Sequence, residues 1–90
     1  MNELENARKT ISRIDREMAA LFAERMEAAR AIAAYKKERS LPVRDEAREA
    51  ELIRQDLSYL DDPELEDLYL SFLEHLIGLS RDWQTRLLDE

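Results

Sequence analysis

The chain has 90 residues, no cysteine, a single Gly, two Pro and 39% charged residues, which excludes a disulfide framework and thiolate chemistry and favours helix over sheet. Its net charge of −7 divides into 11 basic and 9 acidic residues up to position 48 and 3 basic and 12 acidic residues after it. That balance excludes the broad basic face that nucleic acid or an anionic membrane rewards, and leaves local positive charge suited to a small anion.

The start of the chain, with Glu3, Glu5, Arg8 and Lys9, reads as neither a secretion signal nor a membrane span. The expectation is one domain over residues 1–90, located in the cytoplasm, with no metal or cofactor, since a lone His75 supplies no histidine cluster. Asn2 and Glu5 make a capping-box-like opening. No Gly or Pro interrupts the chain before Pro42. The spacing therefore predicts one helix of about 35 to 38 residues, ending near Lys36, Lys37 and Arg39, whose charges suit a helix C-terminus. Such a helix is about 55 Å long at 1.5 Å per residue. A compact globule of this size is only about 30 Å across.

The apolar ladder of this helix runs Leu4, Ala7, Ile11, Ile14, Met18, Leu21, then places Arg25 where the next apolar rung belongs, and resumes at Ala28, Ile32 and Tyr35. A charge in a packing seam is costly unless it is met. Glu24, Glu27, a carboxylate of another helix, or an anionic ligand are the ways of meeting it. The rungs extend further than two shorter helices can cover, so a second copy of the chain is the expected partner.

Leu41, Pro42 and Val43 form the first connection, and Asp45 is placed to cap a second helix of about Glu46 to Ser58 with Ala50, Ile53 and Leu57 on one face. Asp61, Asp62 and Pro63 then read as an N-cap followed by proline at the first position of a third helix. Leu65, Tyr69, Phe72, Leu76, Leu79, Trp83 and Leu87 make its main apolar stripe. A neighbouring stripe of Leu73, Ile77, Ser80, Gln84 and Leu88 is interrupted by two hydrogen-bonding residues. Trp83 is read as a core residue and His75 as a partly exposed one.

Lys36 lies close to three turns beyond Arg25 on the same face, about 16 Å along the axis. Arg8 borders the seam about 25 Å on the other side of Arg25. One straight helix cannot bring both Arg8 and Arg25 to one small ligand, so an Arg8 that takes part comes from a partner chain. Arg48 and Glu49 follow Asp45, and Gln84 adds a neutral amide. This inventory holds cations, a carboxylate and an amide, without a nucleophile or an obvious proton-transfer pair; it can bind an anion and stabilise charge developing on it.

The order and spacing of these residues resemble the all-helical chorismate mutases of the AroQ class. The matching pieces are Arg8-Lys9-x-Ile11-Ser12-x-Ile14-Asp15, Leu21-x-Ala23-Glu24-Arg25, Ala34-Tyr35-Lys36, Pro42-Val43-Arg44-Asp45-x-x-Arg48-Glu49 and Ser80-x-x-x-Gln84, of which the linker into the second helix is the most specific. The resemblance implies an all-α fold, an interlocked homodimer of three-helix protomers, each with a very long first helix. It also implies an isomerase that converts chorismate to prephenate in phenylalanine and tyrosine biosynthesis. Arg25 and the partner's Arg8 would then grip the two substrate carboxylates, Lys36 and Gln84 would donate to the ether oxygen, and Glu49 would accept from the ring hydroxyl. Arg48, Asp45 and Ser80 would support the ring end. An activating enzyme of the shikimate pathway is a possible further partner. Two other readings stand beside this one: an isochorismate pyruvate-lyase of the same fold, and a non-catalytic helical dimerisation module.

Overall fold

A computed structural model describes residues 2–89. Three α-helices follow one another: α1 over Glu3–Glu38, α2 over Glu46–Ser58 and α3 over Glu66–Leu88. Among the described residues there is no strand, as the helix-forming composition predicts. None of these helices is long and apolar enough to cross a membrane.

The predicted ends are set by local hydrogen bonds. Asn2 Oδ1 accepts from the Glu5 amide at 2.8 Å and caps α1. At the other end the Leu41 amide donates back to Lys36 O and the Ser40 amide to Lys37 O, with Ser40 in the left-handed region at φ 54°. That is a Schellman closure with serine where glycine is usual. Asp45 Oδ1 accepts from the Arg48 amide at 3.0 Å and starts α2 at the expected residue. The third helix differs slightly from expectation: Asp62 caps and Pro63 leads, but Pro63–Leu65 winds as a 3-10 turn before the α-helix begins at Glu66.

Both α1 and α2 pack on α3, which is the element that joins them. The buried apolar residues are Ala29 and Ala33 of α1 and Leu73 and Ile77 of α3. Ala29 and Ala33, one turn apart, let the two backbones approach closely, and the indole N–H of Trp83 crosses that gap to Met26 O at 3.1 Å. The Arg30 guanidinium lies over the same indole, 5.2 Å from the ring centre. Trp83 is half-buried rather than a core residue, and His75 is exposed.

The internal face is not the one that the apolar ladder marks. Leu4, Ile11, Ile14, Met18, Leu21, Ile32 and Tyr35 are all exposed, and so are Leu65, Phe72 and Leu79 of the supposed main stripe of α3. On α2, Ile53 and Leu57 are half-buried but Ala50 is exposed, because the face turned toward α3 is centred on Glu49, Leu52, Ile53 and Leu57. Ala29 and Ala33, one position round the helix from Ala28 and Ile32, are the α1 residues buried in the core, and the ladder residues Leu4 to Leu21 are left exposed.

The result is an elongated chain of 55 × 27 × 15 Å whose longest dimension is that of α1. Its radius of gyration is 16.4 Å, against about 12 Å for a compact chain of this length. It exposes 7215 Å², whereas a compact monomer of 10.6 kDa exposes about 5,500 Å².

Candidate functional site

Three elements that share α3 as their floor enclose a cavity of about 420 Å³, within the usual range for small-molecule sites. Arg25 and Lys36 of α1, Val43 and Asp45 of the connection, Arg48 and Glu49 of α2, and Ser80, Arg81 and Gln84 of α3 all line it. Apolar walls come from Ala28, Ala29, Ile32, Leu52 and Ile77. Seven of the eight residues singled out from the sequence thus meet at one place. Arg8 does not. It is exposed on α1, which runs unbroken from Glu3 to Glu38, so Arg8 stays about 25 Å from Arg25.

The charges are unbalanced in the direction an anion requires. Four cations, Arg25, Lys36, Arg48 and Arg81, face two carboxylates, Asp45 and Glu49, in a chain whose net charge is −7. Arg25 is half-buried. Glu27 is turned to Arg30 at 3.7 Å, and no hydrogen bond or ion pair to Arg25 is made among the described residues. The charge that interrupts the ladder is met neither by its helical neighbours nor by another helix.

Lys36 and Gln84 are linked. The Lys36 ammonium donates to Val43 O at 2.6 Å and to Gln84 Oε1 at 3.4 Å, and Gln84 Nε2 donates to Ser80 Oγ at 3.3 Å. An ammonium has three protons and no acceptor, so it dictates which end of the amide faces it. By the same inventory one N–H of Lys36 and one N–H of Gln84 remain unspent. Gln84 is 7% exposed, and a buried polar group with an unspent donor is held only where something can satisfy it.

On the opposite wall, Glu49 Oε2 stands 2.8 Å from Arg81 Nε, with side-chain exposures of 17% and 32%. The Nε atom is itself buried, yet its N–H does not point well enough at the carboxylate to count as a hydrogen bond. The pair is in close electrostatic contact without good alignment. Arg48 pairs at 3.4 Å with Glu51 in an exposed ion pair, a kind worth little and easily exchanged for a ligand. Asp45 spends Oδ1 on capping α2, which aims the first turn carrying Arg48 and Glu49.

Arg81 is the site residue that spacing did not single out. A signal was present: it lies four residues after Ile77 and three before Gln84, hence on the same face of α3.

The arrangement can hold a small polyanion, place two N–H donors against one of its atoms and accept from a hydroxyl; it offers no nucleophile. Searches of curated proteins and of solved structures gave no match to the chain. The family model for chorismate mutase type II matches residues 7–85, a span that takes in the cavity residues and Arg8 alike, and the chain belongs to that family.

Proposed function

We propose that the chain catalyses the rearrangement of chorismate to prephenate, and that it does so as a homodimer. One observation carries the reading: Lys36 and Gln84 are joined at the wall of a cation-rich cavity, each with one N–H unspent. The rearrangement breaks a carbon–oxygen bond while a carbon–carbon bond forms within one molecule, so it needs no base, nucleophile or cofactor. It needs the compact conformer to be selected and the negative charge growing on the ether oxygen to be stabilised. Two donors fixed by other hydrogen bonds do the second with little reorganisation at the moment of reaction.

Arg25 takes one substrate carboxylate, which is the counter-charge that its own chain withholds. The other carboxylate falls to Arg8 of a second copy. The exposed ladder from Leu4 to Leu21 and a surface well above that of a compact monomer support this pairing. Glu49 accepts from the ring hydroxyl, with Arg48, Asp45 and Ser80 at the same end.

Product analysis tests the reading. The purified chain is given chorismate in one reaction and isochorismate in another. Prephenate from the first, without pyruvate and salicylate from the second, is the expected pair of outcomes. Pyruvate and salicylate alone identify a lyase, and no product from either refutes catalysis at this cavity.

A further inference from the structure

We propose that Arg81 is a positioning residue that fixes Glu49 as the acceptor for the substrate hydroxyl, an inference that rests on the reading of the cavity as a chorismate site. Glu49 is largely buried. A carboxylate in that position either keeps a cation beside it, takes up a proton, or swings out to water, and the last two outcomes remove the acceptor. Arg81 supplies the cation. It reaches across from α3 to α2 at 2.8 Å, whereas pairs such as Arg13–Glu17 and Arg48–Glu51 lie at the surface.

The atoms divide the work. Arg81 engages Oε2 of Glu49 through Nε at 2.8 Å. The Nε atom has essentially no exposed surface, so it cannot itself touch a ligand. That atom acts through Glu49, while the rest of the Arg81 side chain, 32% exposed, lines the same cavity. Its place in the chain reinforces this: it directly follows Ser80 and precedes Gln84 by three residues, so the helix that sets the Gln84 donor also sets the Glu49 acceptor. The hydroxyl end and the ether end of the substrate are held in register by one rigid element. Recognition of the hydroxyl is then a property of the Arg81–Glu49 pair and not of Glu49 alone.

The experiment compares chorismate with an analogue whose ring hydroxyl is replaced by hydrogen, using the full chain and the variants Arg81→Met, Arg81→Lys, Glu49→Gln and the double variant with Met and Gln. Arg81→Met is expected to lower kcat/KM on chorismate roughly tenfold, mainly through KM, with a smaller loss on the analogue, so that the preference for the hydroxyl collapses. Arg81→Lys restores part of that preference. The double variant is no worse than Glu49→Gln alone, because the two residues act as one unit. A preference unchanged in Arg81→Met, or losses that multiply in the double variant, overturns the proposal. If the Met variant fails to fold by circular dichroism, Arg81→Lys and Arg81→Gln carry the same comparison. Wild-type conversion of chorismate is the first arm: its failure overturns the reading of the cavity and this inference together, while conversion with an unchanged preference overturns this inference alone.

Discussion

Lys36 Nζ and Gln84 Oε1, from residues 48 positions apart in the chain, stand 3.4 Å from each other at one wall of the cavity. The contact fixes both partners: the ammonium orients the amide, and Val43 O and Ser80 Oγ anchor the two ends of the chain of bonds. What is left over is a pair of N–H groups whose positions are already determined. Lys36→Ala removes the charged one, and kcat/KM is expected to fall about a hundred- to a thousandfold. Steady-state kinetics on a variant with an unchanged helical circular dichroism signal measures it.

Gln84 donates without titrating, so activity should persist through neutral pH. Gln84→Glu reverses that. A carboxyl donates only while protonated, and as the pH rises it becomes an acceptor facing a developing negative charge. The variant is expected to be active only on the acidic side and to lose activity steadily toward neutral pH. A flat profile for Gln84→Glu contradicts direct donation from this position.

Much of this site was legible along the chain. Asp45 capping α2 at Glu46 follows from a local side-chain to backbone bond, and so does the start of α1 at Asn2; such bonds lie within three residues and spacing exposes them. Arg25 stood out because a charge breaks an apolar period. The choice of internal face was not legible. Both α1 and α3 carry more apolar surface than one chain buries, and periodicity marks a face as apolar without saying whether the same chain or another covers it. The face that carries Ala29 and Ala33 is the one buried. The Arg81–Glu49 pair escaped notice for a related reason: Glu49 stood out, but Arg81 is one more charge on a helix until α2 and α3 are docked.

Arg8 and Arg25 sit on one unbroken helix, too far apart for one small ligand. If each site takes Arg25 from one chain and Arg8 from the other, Arg8→Ala and Arg25→Met are each inactive alone, and refolding equal amounts together restores about a quarter of the wild-type rate, from mixed dimers with one intact site. No recovery from a mixture shown by native mass spectrometry to contain mixed dimers contradicts a site shared between chains.

Ser40 holds φ 54° at the end of α1, where a side chain is disfavoured. Ser40→Gly relieves that cost and is expected to stabilise the fold by about 0.5–1 kcal/mol after the greater freedom of glycine in the unfolded chain is allowed for. Urea unfolding at fixed protein concentration reads it. Because the turn also presents Val43 O to Lys36, kcat in this variant should stay near wild type if the turn keeps its path.

The central claim is that the cavity between the three helices receives a chorismate dianion through Arg25 and rearranges it. The most direct measurement follows chorismate by NMR with the wild-type chain and with Arg25→Met side by side. Prephenate forming well above the uncatalysed rate with the wild type, and at the uncatalysed rate with a folded Arg25→Met, is the predicted result. No acceleration by the wild type, or equal acceleration by both, contradicts the account.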